Sequence, residues 1–401
     1  MKANKKRLYS TLPCFDNSKA CAYVDLNNLC ENYKRLCSVS SGARHICVIK
    51  ADAYGHGAAE CSKALFLSGC DFFAVSSIEE AIDVRHALAT FGARGESADI
   101  MILGYTPPSL AKYLSDYNIT QSGISFEYCR ELNSYAESDN VCVKLHIALD
   151  TGMNRVGFCA QNDSDITETI ENICTVKGFS NLDTWGMFSH FARADYPMCE
   201  EDTDGSYTAL QFKRFCRVRN GLEDEGCGIK FCHICNSAAT LHFPKYHLDG
   251  VRLGIALYGY QPSEHFDFPL LPVMRLETLI SHIHTLKAGE RLGYGGDYIA
   301  DTDKIIATLP IGYADGYIRA YKNSPVDIFT CVGTQRANLV GRICMDQCMV
   351  DITNVSCARV GDRVTMLGLD NTTLRLLANK ANSSEYEALC IISSRIPRIY
   401  K

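Results

Sequence analysis

The stretch Arg44-His45-Ile46-Cys47-Val48-Ile49-Lys50-Ala51-Asp52-Ala53-Tyr54-Gly55-His56-Gly57-Ala58 decides how the rest of the chain reads. An apolar run ends in a lysine, a short loop follows, and apolar side chains then return at helical spacing at Ala58 and Leu65. That is the pattern of one βα unit. The alternation continues to about Gly254. Strands are predicted at 45–49, 72–75, 100–103, 119–121, 141–149, 184–190, 230–234 and 248–252, with helical patterns between them such as Ile82 with Leu88, and Leu210, Phe215 and Val218. Eight strands with intervening helices predict a (β/α)8 barrel. A ninth run, 22–26, does not fit the barrel count and is available to a second domain. After about Tyr260 the pattern changes to strands at 274–284, 304–310, 326–330, 349–352 and 364–367, separated by Gly, Asp and Asn. The expected organisation is a barrel over 1–260 and a mainly β domain over 261–401.

A chain of 401 residues has room for two cores, and 47% hydrophobic with 21% charged residues is an ordinary globular composition. A net charge of -6 without a basic block argues against nucleic acid and for a small-molecule partner. Residues 1–7 are basic, but 8–15 lack the apolar stretch of a signal peptide, and no run is long enough to span a bilayer. The cytoplasm is the expected location. The 21 cysteines are odd in number and scattered through apolar segments, so most are expected to be buried thiols. Cys232 and Cys235 form one Cys-x-x-Cys with no second pair at zinc-ribbon spacing, so no metal site is expected.

Barrel enzymes carry their reactive groups where strands end, and Lys50 is the first such residue. Taken alone it is an ordinary strand-end lysine. The run Val48-Ile49-Lys50-Ala51-Asp52-Ala53-Tyr54-Gly55-His56-Gly57, however, resembles the pyridoxal-phosphate lysine motif of alanine racemases, and the resemblance continues almost to the C terminus. It implies pyridoxal 5'-phosphate as cofactor, bound covalently by Lys50, a role open to an amine of lowered pKa. It implies that Ser237, ahead of the helical run Ala238-Ala239-Thr240-Leu241, binds the phosphate. Gly254 and Ile255 share that task, with Tyr54 and with Tyr386, which lies ahead of the closing Ser394-Arg395-Ile396-Pro397-Arg398. Arg252 corresponds to the arginine that faces the pyridine nitrogen. Arginine does not readily give up a proton, so the ring nitrogen stays unprotonated and transamination is suppressed. His233 corresponds to the residue behind the cofactor that orients this arginine, although a core histidine bonded to backbone reads nearly as well.

Racemisation needs two bases, because a proton leaves one face of a planar carbanion and returns to the other. Lys50 can be one, and the resemblance assigns the second to Tyr294 in Leu292-Gly293-Tyr294-Gly295-Gly296. A tyrosine, ordinarily near pKa 10, acts at neutrality only beside cations or hydrogen bonds. His190, in Ser189-His190-Phe191-Ala192, corresponds to the histidine that contacts this tyrosine. Arg155, in Asp150-Thr151-Gly152-Met153-Asn154-Arg155, is implied to bond the cofactor's phenolic oxygen and the substrate carboxylate. Met345, in Cys344-Met345-Asp346-Gln347, is implied to reach the substrate from the neighbouring subunit of a homodimer, with Tyr313 at the site entrance. Taken singly, Met345 and Tyr313 pass for packing residues and Arg252 for a salt-bridge partner.

The clearest departure from the family is Ala148, where many members carry a lysine whose carbamate holds the arginine corresponding to Arg155. Its absence leaves Arg155 with an unpaired charge in a partly enclosed site, and a bound anion such as chloride, or a water network, is expected to fill the space. The function implied is interconversion of L-alanine and D-alanine, supplying D-alanine for peptidoglycan. A racemase for serine or another amino acid on the same fold is the alternative. A basic amino-acid decarboxylase would show a glycine-rich phosphate loop and a cysteine motif that are missing here, and a non-catalytic cofactor binder of the small-barrel class would lack the β domain.

Overall fold

The structure, a computed structural model, describes residues 18–196, 206–262, 267–368 and 371–401. The expectations for residues 1–15 concern segments outside those described. In chain order the strands are β1 Ala20–Val24, β2 Arg44–Val48, β3 Phe72–Val75, β4 Asp99–Ile102, β5 Ile119–Gly123, β6 Val143–Asp150, β7 Phe158–Cys159, β8 Leu182–Phe188, β9 Phe231–His233 and β10 Gly250–Leu253. They continue with β11 Met274–Leu279, β12 His282–Leu286, β13 Arg291–Leu292, β14 Tyr298–Ile299, β15 Lys304–Leu309, β16 Pro325–Thr330, β17 Gly333–Val340, β18 Cys348–Asp351, β19 Arg363–Leu367 and β20 Arg398–Tyr400. Two compact units emerge, one of residues 29–53 and 57–271, the other of 1–28, 54–56 and 272–401.

The first unit is the barrel. Its order is β5-β4-β3-β2-β10-β9-β8-β6, and β5 pairs with β6 to close eight parallel strands, with the two-residue β7 appended to β6. Each coincides with a predicted strand, with ends shifted by a few residues. The reason they were legible is burial on both faces: Phe72, Phe73, Ala74 and Val75 of β3 are all buried, as is every residue of β5. The helix Ile78–Ala89 shows how the outer layer forms. Ser77 caps it by accepting from the Glu80 N–H, and Ile78, Ala81, Val84 and Leu88 make its buried stripe. Buried Arg85 on that stripe spends its guanidinium on the carbonyls of Tyr117, Gly95, Glu96, Ala98 and Asn118.

The second unit is built on a nine-stranded sheet in the order β12-β15-β18-β17-β16-β19-β11-β1-β20. The surplus run near the N terminus is β1, antiparallel to β11 and parallel to β20. The single strand predicted at 274–284 is two. β11 pairs with β1 and β19, whereas β12 pairs with β15, and the chain changes neighbours between them as Ile280 donates to the Asp362 carbonyl and Ser281 to that of Thr308. β17 was not predicted, because Gln335, Arg336 and Asn338 make its pattern too polar.

Nineteen cysteines lie among the described residues, none in a disulfide: eight buried, six half-buried and five exposed. The expectation that most are buried fails, because several sit on helices and at turns rather than in strands. Cys232 and Cys235 are buried and donate to different carbonyls, those of Ile229 and Tyr246. No helix among the described residues is long and apolar enough to cross a membrane.

Candidate active site

Lys50 follows β2 and opens a turn of unusual hand. Ala51, Asp52, Ala53 and Tyr54 have φ of 53°, 54°, 55° and 53°, so four consecutive non-glycine residues adopt left-handed helical geometry. Each such residue costs on the order of 1 kcal/mol, and the run persists only where its surroundings impose it. The Glu80 carboxylate supplies part of that support. Its Oε1 accepts from the N–H groups of Ala51 at 2.6 Å and Asp52 at 3.4 Å, and its Oε2 from Ser76 at 2.9 Å. Asp52 in turn accepts from the Ala58 N–H at 2.9 Å. Glu80 carried no expectation from the sequence, where Ser77-Ile78-Glu79-Glu80 reads as a local capping box. Here its side chain leaves the helix for the lysine loop.

At the end of β10, Arg252 is 3% exposed. Its NH1 donates to His233 Nδ1 at 2.7 Å and to the His233 carbonyl at 3.3 Å, and its NH2 to the carbonyls of Ser189 at 2.6 Å and Ile234 at 2.9 Å. His190 Nδ1 lies 3.2 Å from NH2. No acid among the described residues pairs with this guanidinium, and its Nε is the one nitrogen left without an acceptor there. Burial pulls it down to about 10, so it stays protonated at neutral pH. His190, half-buried, is held well below its ordinary value by desolvation, then by the cations Arg252, Arg155 and Lys50. His233, buried, is depressed in the same way by desolvation and Arg252. The role of a merely backbone-bonded core histidine therefore does not describe His233.

The ends of β9 and β10 converge where Ser237 Oγ accepts from the Gly254 N–H at 2.8 Å. Ser237 opens the helix Ser237–His242, and Ile255 opens the turn Ile255–Tyr258. After β6, Asp150 Oδ1 accepts from the Gly152 and Asn154 N–H groups at 2.9 and 3.0 Å, shaping the loop that presents Arg155. Gly152, at φ 139°, lies under the Tyr207 hydroxyl, where a Cβ would come within 2.4 Å. Arg155 is exposed, and among the described residues no acid pairs with it. The anion expected beside Arg155 therefore has no protein carboxylate among the described residues to take its place. Ala148 is buried, 2% exposed.

The structure thus brings Lys50, Arg155, His190, His233, Ser237, Arg252, Gly254 and Ile255 onto the barrel unit, while Tyr54, Tyr294, Tyr313, Met345 and Tyr386 belong to the other. There, the rings of Tyr54 and Tyr386 lie 6.1 Å apart. Tyr313 and Met345 share one structure, since the Tyr313 N–H donates to the Cys344 carbonyl and the Ala314 N–H to that of Met345. Tyr294, in the turn Tyr294–Gly296, is 65% exposed and Met345 54%.

The family model described as alanine racemase, N-terminal domain, matches residues 24–262, and that described as alanine racemase, C-terminal domain, matches 273–400. The chain belongs to the alanine racemase family. It is 41% identical over 386 residues to the alanine racemase of Clostridium tetani, covering 94% of each chain, and 36% identical to that of Methanococcus maripaludis, covering 94% of this chain and 98% of the relative. Among solved structures it resembles alanine racemase from Clostridium difficile 630, with a TM-score of 0.86, 34% identity and 96% of each chain covered. It also resembles the Bacillus anthracis alanine racemase with bound L-Ala-P, with a TM-score of 0.84, 28% identity, and coverage of 97% of this chain and 96% of that one.

Proposed function

We propose that this protein is an isomerase that interconverts L-alanine and D-alanine with pyridoxal phosphate, in the cytoplasm, as a homodimer, supplying D-alanine for peptidoglycan. The observation that carries the reading is Arg252: a buried guanidinium at the end of a barrel strand, with no acid beside it and Nε as its remaining donor. That donor set fits an aromatic nitrogen that accepts a hydrogen bond and is never protonated. Lys50 at the neighbouring strand end fits an aldehyde, and Ser237 with the backbone at Gly254 and Ile255 fits a phosphate.

Bound pyridoxal phosphate supplies an aldehyde and an electron-withdrawing ring that acidifies the substrate Cα–H. The protein does the rest. Lys50 Nζ exchanges a proton with one face of Cα and Tyr294 Oη with the other, so that inversion needs no rotation of the substrate. Arg155 and the backbone of Met345 hold the substrate carboxylate, and Tyr313 and Tyr386 narrow the space beside the side chain. His190, kept neutral by burial and then by its cationic neighbours, leaves the proton traffic to these two bases. The high exposure of Tyr294 and Met345 in the single chain suits residues that complete a partner's site.

The protein incubated with pyridoxal phosphate should turn yellow, and borohydride reduction should fix the cofactor on the peptide carrying Lys50. Chiral chromatography over a panel of L-amino acids should show alanine turned over fastest. A colourless protein, or faster turnover of serine, lysine or arginine, overturns the reading.

A further inference from the structure

The interior of the barrel carries a second buried histidine that the two-base mechanism leaves unused. His146 of β6 is fully buried, and its Nδ1 lies 3.1 Å from His233 Nε2. Because arginine only donates, the 2.7 Å bond from Arg252 makes His233 Nδ1 an acceptor. Neutral His233 then carries its proton on Nε2 and must donate it to His146 Nδ1. By the same logic His146 holds its own proton on Nε2. Around that atom stands an aromatic cage: Trp185 edge-on at 4.1 Å between ring centroids, Phe231 at 5.9 Å and Phe72 at 6.0 Å. His146 Nε2 has no oxygen or nitrogen acceptor among the described residues. The space for the ring is made by Gly186 of β8, where a Cβ would lie 2.1 Å from Nε2.

This arrangement has one polarity only. The charges that act on His146 are Arg44 and Arg252, both cations, and with burial they hold it down to about 3. No acid stands at the far end to reverse the donor direction. Remove the acceptor at His146, and the His233 Nε2–H is buried without a partner. His233 then loses the partner that holds its ring, and the acceptor it offers to Arg252 is no longer fixed in place.

We propose that His146 is a positioning residue: through His233 it fixes the orientation of the Arg252 guanidinium that presents Nε to the cofactor ring. This rests on the reading of Arg252 given above. A packing role and a relay role separate cleanly, because the volume of the side chain and its acceptor can be varied independently. His146→Phe fills the cage but removes the acceptor. His146→Asn leaves a cavity but puts an amide oxygen where Nδ1 was.

In the loaded enzyme, His146→Phe should lower kcat at least about tenfold with little change in KM, and raise the fraction of turnovers lost to transamination. His146→Asn should lower the melting temperature yet keep kcat within about threefold of wild type. Independently of activity, 15N shifts of labelled histidines should show a single His233 tautomer protonated on Nε2 in wild type and His146→Asn, and the loss of that hydrogen-bonded Nε2–H signal in His146→Phe. A wild-type His233 protonated on Nδ1, or activity that follows side-chain volume rather than the acceptor, overturns the proposal. Arg252→Lys serves as the control. If it alters the partition toward transamination and His146→Phe does not, the relay is wrong; if it alters nothing, the reading of Arg252 falls and the proposed positioning role falls with it.

Discussion

Two buried arginines, Arg85 and Arg252, show how residue identity alone underdetermines function. Both are depressed by burial and, among the described residues, neither forms an ion pair, but Arg85 spends its guanidinium on five carbonyls while Arg252 keeps Nε uncommitted. The first ties loops together, and the second has a donor to offer. At this scale Lys50→Ala should lose the visible absorption that wild type gains with pyridoxal phosphate, and lose kcat by at least about 10³-fold, checked by absorption and single-turnover assays. A yellow Lys50→Ala protein would refute the assignment. Tyr294→Phe tests the division of labour. Racemisation should fall by at least about 10²-fold, while exchange of the Cα hydrogen in deuterated water persists for one enantiomer only, the one whose hydrogen faces Lys50. Equal loss of exchange for both enantiomers would mean that Tyr294 is not a single-face base.

Among elements, the left-handed turn from Ala51 to Tyr54 is the one that no propensity argument anticipates, since alanine disfavours positive φ. Its free N–H groups at Ala51 and Asp52 form the start of a helical turn of either hand, and a carboxylate placed there satisfies them. Glu80→Ala should therefore cost about 2–3 kcal/mol and slow turnover through Lys50, and Glu80→Gln should recover part of both. Thermal melts paired with kcat decide it, and an unchanged melting temperature in Glu80→Ala would show that the turn is held by other contacts. The same scale explains which elements were legible. Barrel strands buried on both faces leave continuous apolar runs, and all eight could be read from them. β17, with polar residues through its middle, and the break between β11 and β12, set by which neighbour each half finds, left no such signal.

Over the whole molecule, neutral histidines 146, 190 and 233 couple stability to pH. Unfolded, each titrates near the ordinary 6.5; folded, His146 falls to about 3 and the other two lie well below their ordinary value. The unfolded chain binds more protons in that window, so this stability is complete above about pH 6.5 and shrinks as pH falls, by about 1.4 kcal/mol per pH unit for each fully neutral histidine. The melting temperature should drop between pH 7 and 5, and a flat profile there would contradict the burial of these rings in neutral form. Shared active sites predict that mixing inactive Lys50→Ala with inactive Tyr294→Phe subunits restores activity, with one intact site per mixed dimer. No recovery after verified subunit exchange would place both bases in one subunit. The sequence by itself determined the barrel and the β domain, because apolar periodicity is a local property of a chain, and its short motifs pointed to Lys50, Arg252 and Tyr294 through a family resemblance. Only the tertiary structure decided that Glu80 turns from its own helix to the lysine loop, that no carboxylate among the described residues pairs with Arg155, and that His146 reaches His233 across the barrel interior. Those facts depend on groups that meet from positions 87 and 29 residues apart, and no local pattern encodes that meeting.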